Sequence, residues 1–293
     1  MNSALKDRLL TYSKLMRVDR PIGTLLLLWP TLWGLWVASN GHPSLKMLLI
    51  FIFGTFLTRS AGCVINDYAD RHIDQHVERT RQRPFAQQAV TRQEALLLAS
   101  GLGILALLLI ISLNGLTLFL SIIAALIAIS YPYTKRFFPL PQAYLGIAFS
   151  FGIPMAFSAV QAHIPKTAWL MMLATACWII AYDTAYALVD KPDDVKLGIH
   201  SSAITFGRHV TMAIMLFHTA FLVLMGSVGW IIALGVPYFM GLVMATILIA
   251  KQYPDIRSGN RIRCFNAFLS NNRVGGVLFI GIVMDYLLSN KPV

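Results

Sequence analysis

Acidic residues are scarce in this 293-residue chain: 13 Asp and Glu stand against 24 Lys and Arg. Charged residues of both signs make up 13%, about half the ~25% of an ordinary soluble domain. With 57% of the residues drawn from AVILMFWYC, this excludes a disordered chain, a coiled coil and most soluble enzymes. Cysteine is sparse as well. Cys63, Cys177 and Cys264 are odd in number, far apart and without a CxxC pair, which argues against a disulfide framework and a structural zinc site. The first twenty residues lack the apolar core of a signal peptide, and Asp7 and Asp19 argue against a transit peptide. No polar stretch is long enough for a second, soluble domain, so residues 1–293 are expected to form a single integral membrane domain.

What the chain has in quantity is apolar length. A spanning helix needs roughly 20 mostly apolar residues. Nine segments qualify: 21–40, 46–66, 94–113, 115–132, 143–162, 167–189, 209–230, 232–251 and 273–289. The expected fold is therefore all-α, a multi-pass membrane protein with nine transmembrane helices. With the N-terminus in the cytoplasm, twenty of the 24 basic residues fall on the inner side. Lys46, Lys166 and Lys291 fall outside, and Arg59 lies within the second span. That asymmetry is the positive-inside pattern and supports an odd number of spans. It also accounts for the high pI of 9.8 without a nucleic-acid partner.

The acids share the inner side, which the positive-inside pattern does not require. Eleven of the 13 lie there; Asp285 and Asp183 are the exceptions. They form two clusters, each closing an even-numbered span. The first is Asn66-Asp67-Tyr68-Ala69-Asp70 with Asp74. On a continuing helix its three carboxylates would share one face. Three carboxylates at a helix C-terminus repel one another and face the negative end of the macrodipole, an arrangement that calls for cations among them. The second runs from Asp183 through Tyr186 and Asp190 to Asp193-Asp194, with Pro192 as a candidate helix stop before Asp194. Asp183 lies about 10 Å deeper along the helix than Asp190. An ionisable group inside a span is a functional candidate by default.

A basic loop follows each cluster: Arg79 to Arg83-Pro84 after the first, and Lys196-Leu-Gly198-Ile-His-Ser201-Ser202 after the second. Two facing carboxylate clusters suit a Mg²⁺-diphosphate, because Mg²⁺ takes oxygen ligands from carboxylates and phosphates together. Arginines suit the remaining phosphate oxygens. His72 and His76 have zinc spacing but lack the intervening Glu of H-E-x-x-H, which favours a place beside phosphate. Gly101 and Gly103 read as a helix-packing pair. The Trp29, Trp33, Trp36 stripe reads as packing or an interfacial anchor. Asn266, Asn271 and Asn272 are placed to cap the last span or to line the site.

These motifs resemble the UbiA-type intramembrane prenyltransferases, and within them the 4-hydroxybenzoate polyprenyltransferases of ubiquinone biosynthesis. The likeness is carried by Asn66-Asp67-x-x-Asp70-x-x-x-Asp74 and Asp183-Thr-x-Tyr186-Ala-x-x-Asp190-x-x-x-Asp194. Arg20-Pro21-Ile-Gly23, Trp29-Pro30-Thr-Leu-Trp33-Gly34, Arg79-Thr-x-x-Arg83-Pro84, Tyr131-Pro132-Tyr133-Thr-Lys135-Arg136 and Cys264-Phe265-Asn-Ala267-Phe268 add to it. Pro192 departs from the pattern, where a charged or polar residue is expected.

The resemblance implies nine helices around a central cavity open to lipid, Mg²⁺, a polyprenyl diphosphate donor and an aromatic acceptor. Metal ligands are then expected at Asp67, Asp70, Asp74, Asp190 and Asp194. Asn66, Arg79, Arg83, Lys135 and Arg136 are expected at the diphosphate. Catalytic roles fall to Asp183, Asp190 and Asp194. Asp183 is a candidate base, or a group that orients the phenol or steadies an allylic cation. Tyr68, Tyr131, Tyr133 and Tyr186 are candidates to steady that cation through their ring faces. Arg59, on the helix face leading to the first cluster, is a candidate to hold the benzoate carboxylate or to pair with Asp183. A bacterial inner membrane, with the site on the cytoplasmic side, is the expected location.

Two other classes are discriminable. A same-fold transferase acting on homogentisate, dihydroxynaphthoate, haem or a chlorophyllide would keep the donor site and change the acceptor pocket. A transporter would put its charges near the bilayer midplane, whereas these clusters sit at one end.

Overall fold

A computed structural model describes residues 3–288 as α-helices joined by short loops, with no strand among the described residues. An N-terminal helix, α1 (Ser3–Leu15), precedes the apolar segments α2 (Ile22–Ala38), α3 (Leu45–Ala69), α4 (Arg92–Ile110) and α5 (Gly115–Thr134). A broken pair follows, α6 (Pro141–Ser150) and α7 (Gly152–Gln161), then α8 (Lys166–Leu197) and the short α9 (Ser202–Thr205). The chain closes with α10 (Val210–Ile231), α11 (Val236–Arg257) and α12 (Arg261–Leu288). Among the described residues, eight segments are long and apolar enough to cross a membrane, counting α6 and α7 as one. The segment expected as the first span is α2, which is apolar but only 17 residues long. Lys291, assigned to the outer side by the charge pattern, lies outside the described residues.

The helix boundaries follow local chemistry. Thr91 caps α4 in a capping box with Glu94, and Asn114 caps α5 through Thr117 N–H at 2.9 Å. The break between α6 and α7 falls at Phe151. Pro154 lacks the N–H that would bond the Ser150 carbonyl, and Gly152 packs on Thr31 so closely that a Cβ there would lie 2.2 Å from its Oγ1.

The longest helix, α8, is the most buried of the spanning segments and forms the hub. Its Trp178 is fully buried against Trp33 of α2 (ring centroids 5.2 Å apart) and Phe221 of α10 (5.6 Å). The tryptophan stripe is a packing device. Trp29 Nε1 donates to Asn272 Oδ1 at 2.8 Å, Trp33 Nε1 to the Gly275 carbonyl at 3.2 Å, and Trp36 lies edge-on to Phe279. Asn271 and Asn272 therefore sit inside α12, which starts twelve residues before the expected span. Asn271 also joins Trp178 and Gln252, satisfying polar groups that would be costly unpaired in an apolar interior. Asp285, the outlying acid near the outer end, is buried and accepts the Gly235 N–H at 2.6 Å.

Three local expectations change. Pro192 does not end α8: the helix runs on to Leu197 and stops at Gly198, whose left-handed φ of 66° glycine adopts without strain. Leu188 and Val189, packed with Val210 and Ile214 of α10, anchor the helix just before the proline. Conversely, α3 stops early. Asp70 is its C-cap, and Asp74 opens a separate 3₁₀ turn, so Asp67, Asp70 and Asp74 share no continuous helical face. Finally, Gly101 and Gly103 pack on nothing within this chain, since a Cβ at either would meet no atom within 4 Å.

Candidate active site

The C-terminal ends of α3, α5 and α8 surround one polar cavity. Asn66, Asp70 and Asp74 enter it from α3 and its loop, and Asp183, Tyr186, Asp190 and Asp194 from α8. Tyr131 and Lys135 come from the end of α5, and Arg79 and Arg83 from the loop after α3. The two clusters, more than a hundred residues apart in the chain, thus face each other across one space.

Ion pairs make the juxtaposition specific. Arg79 reaches Asp190 with a forked pair of bonds, Nε to Oδ1 at 3.0 Å and Nη2 to Oδ2 at 2.5 Å, and its guanidinium lies 4.5 Å from the Tyr186 ring centroid. Lys135 Nζ pairs with Asp70 Oδ2. Arg83 Nη1 bridges Asp67 Oδ1 at 3.0 Å and Asp74 Oδ2 at 2.9 Å. Burial pushes the Asp70 carboxyl above its ordinary value, against the pull of Lys135. At the rim, Arg261 of α12 ties Glu78 (2.7 Å) to Asp193 (3.3 Å), fastening the loop to α8.

Several expected site residues lie elsewhere. Asp67 is 1% exposed and outside the cavity lining; its carboxylate is held by Arg17 Nη2 at 2.7 and 2.8 Å as well as by Arg83. Arg136 also lies off the cavity, donating to the Ala69 carbonyl at 2.8 Å and covering the Tyr133 ring. Tyr68 packs on Phe85 and Arg71. Arg59 does not line the cavity either. Its guanidinium lies 5.7 Å from the Phe149 ring centroid and against Gly23, and no ion pair joins it to Asp183 among the described residues. Of the four tyrosines singled out, the cavity gathers Tyr131 and Tyr186.

Sequence reasoning missed Arg17, Gln142 and Ser201. Arg17 belongs to no motif, and only the fold carries it to Asp67. Gln142 and Ser201 line the cavity from segments whose local signals are those of a helix start and a basic loop.

No three acidic or histidine side chains converge on a single point among the described residues. The donor set nonetheless fits a hard divalent cation. Asp70 Oδ1 is buried with no hydrogen-bond partner. Asp183 and Asp194 line the cavity, and neither carboxylate takes part in a hydrogen bond or ion pair among the described residues. Carboxylate oxygens left open beside Arg and Lys suit a ligand that brings both positive and negative charge, as a metal-bound diphosphate does.

The chain is similar to known proteins over most of its length. Residues 27–278 match the model of the UbiA prenyltransferase family. A 4-hydroxybenzoate octaprenyltransferase from Nitrosospira multiformis is 60% identical over 284 residues, spanning 97% of this chain and 98% of that protein. The apo structure of a UbiA homolog from Aeropyrum pernix K1 superposes with a TM-score of 0.79 at 26% identity, covering 89% of this chain and 97% of that one. A UbiA homolog from Archaeoglobus fulgidus bound to GPP and Mg²⁺ shares the fold, with a TM-score of 0.66 at 17% identity over 94% and 99% of the two chains.

Proposed function

Because the chain belongs to the UbiA prenyltransferase family, we propose that it transfers a polyprenyl group from polyprenyl diphosphate to carbon 3 of 4-hydroxybenzoate, in ubiquinone biosynthesis. The observation that carries the reading is the convergence of both carboxylate clusters, with Arg79, Arg83 and Lys135, on one cavity at one end of the helices of a membrane protein. The acceptor is supported by relatives of that activity aligned over nearly the whole chain.

Asn66, Asp70, Asp74, Asp190 and Asp194 would hold Mg²⁺, which supplies positive charge to a departing diphosphate. Asp67 serves one step back, fixing Arg83. Arg79, Arg83 and Lys135 neutralise the diphosphate oxygens. The bond between the allylic carbon and the diphosphate oxygen breaks with its electron pair leaving on oxygen. The ring carbon ortho to the phenol then attacks the allylic cation, and a base takes the displaced ring proton. Asp183, open to the cavity and about 10 Å deeper than Asp190, is placed for that proton or for the phenol. Tyr131 and Tyr186 turn aromatic surface toward the cation and help to exclude water. Arg59 forms no ion pair among the described residues but lies off the cavity lining, so a role in holding the benzoate carboxylate requires an acceptor pocket that extends beyond that lining toward Phe149. The charge pattern supports a site on the cytoplasmic side, and the bacterial relatives support an inner membrane.

The test is an assay of membranes containing the protein with polyprenyl diphosphate, Mg²⁺ and a panel of aromatic acceptors. The expected product is 3-polyprenyl-4-hydroxybenzoate, lost on chelation, restored by Mg²⁺, and absent with Asp70→Ala or Asp190→Ala. Transfer only to homogentisate or dihydroxynaphthoate would overturn the acceptor assignment. Full activity in both variants would overturn the site.

A further inference from the structure

The segment 199–202, which leads from α8 into the first residue of α9, forms a strap along the cavity wall, and hydrogen bonds pin it at several points. Ile199 N–H donates to the Asp194 carbonyl at 3.0 Å, and His200 N–H donates to the Lys135 carbonyl at 2.9 Å. Ser202 N–H donates to Gln142 Oε1 at 2.9 Å, and the Ser202 hydroxyl pairs with Thr184 Oγ1 at 2.7 Å. The strap thus runs from the level of Asp194 to that of Thr184, the residue after Asp183. Ser201 lies between these levels.

Ser201 is 3% exposed and lines the cavity, and its Oγ has no hydrogen-bond partner. A serine preceding a helix usually caps it with that oxygen. Here it makes no capping bond, although its carbonyl accepts from Ile204 and Thr205. A buried hydroxyl without a partner costs on the order of 1–3 kcal/mol. Its neighbours in the strap, Ser202 included, are all bonded. The hydroxyl, unmet among the described residues, belongs to a residue that lines the space in which a ligand with oxygen acceptors is expected.

We propose that the Ser201 hydroxyl is a catalytic hydrogen-bond donor to the leaving oxygen of the allylic diphosphate; this rests on the prenyl-transfer reading above. The depth decides which oxygen. A diphosphate held by Asp70 and Asp190, with an acceptor ring near Asp183, puts the breaking carbon–oxygen bond between them, within the stretch of cavity wall that the strap and Ser201 line. A donor there gains strength as negative charge grows on that oxygen, so it acts on kcat more than on KM. The oxygen leaves with the electron pair, and the hydroxyl keeps its proton.

Ser201→Ala deletes no protein hydrogen bond, so its thermal stability should equal or exceed that of the parent. Ser202→Ala, which loses the Thr184 bond, is the comparison and should be less stable. In the full-length protein in membranes, Ser201→Ala should lower kcat roughly 10- to 100-fold with little change in the KM for either substrate. Ser201→Thr, which keeps the hydroxyl, should recover most of the loss. An unchanged kcat in Ser201→Ala overturns the proposal. So does a raised KM for 4-hydroxybenzoate with unchanged kcat, which would assign the hydroxyl to the acceptor. A parent protein with no prenyl transfer at all would instead overturn the functional reading, so the two failures are separable.

Discussion

Arg83→Ala tests the idea that cations hold this site together before any substrate arrives. Arg83 is 16% exposed, and its Nη1 serves both Asp67 (1% exposed) and Asp74 (5%). Deleting it leaves Asp67 with Arg17 but leaves the Asp74 carboxylate with no hydrogen bond or ion pair among the described residues. Breaking a buried ion pair from one side costs about 3–5 kcal/mol, mostly the penalty of the orphaned charge. Partial exposure of Arg83 argues for the lower end, about 3 kcal/mol. At roughly 2–4 °C per kcal/mol, the apparent melting temperature should fall about 6–12 °C. The measurement is tryptophan fluorescence during thermal unfolding of detergent-purified protein at one fixed scan rate, because membrane proteins of this size unfold irreversibly and the midpoint depends on rate. The decisive comparison is the double variant. Arg83→Ala with Asp74→Asn removes the orphaned charge and should regain at least half of the loss. A double variant as unstable as the sum of the two singles would show that the residues are not coupled. A loss under 2 °C in Arg83→Ala would show that the charge is solvated, and the reasoning would be refuted.

Arg17→Ala removes the second cation on Asp67 while Arg83 remains, so a smaller stability loss of about 1–3 kcal/mol is expected. Since Arg83 is steadied through Asp67, the KM for polyprenyl diphosphate should rise as well; an unchanged KM would limit Arg17 to docking α1. Gly275→Ala would put a Cβ 2.4 Å from Trp29 Cδ1 and 3.0 Å from Trp178, so the tryptophan packing must shift. Overpacking of this kind costs about 1–3 kcal/mol, read as a lower melting temperature with a changed tryptophan emission spectrum.

The parts legible in the sequence were those that local spacing encodes. Apolar runs located the spanning helices, and Asp70, Asp74, Asp190 and Asp194 were recognisable as one device used twice. Local reasoning failed where a tertiary partner outweighed a local rule. Pro192 is a helix stop by intrinsic propensity, yet α8 continues through it, with neighbouring residues packed against α10 and the end deferred to Gly198. Asp67 belongs to the motif by spacing, but from its place within α3 its carboxylate meets Arg17 and Arg83 and not the cavity. Asn271 and Asn272 lie too far from their tryptophan partners in the chain for any local pattern to pair them.

The sequence by itself determined that this is a helical membrane protein whose acidic clusters gather at one end. Hydropathy and charge sidedness are sums over neighbouring residues and need no knowledge of the fold. The tertiary structure alone decided which carboxylate meets which cation, that Arg59 and Asp183 form no ion pair among the described residues, and that Ser201, its hydroxyl unpartnered among those residues, lines the cavity. Hydrogen bonds and close ion pairs act over about 3 Å, and residues a hundred positions apart come that close only once helices such as α3, α5 and α8 have packed.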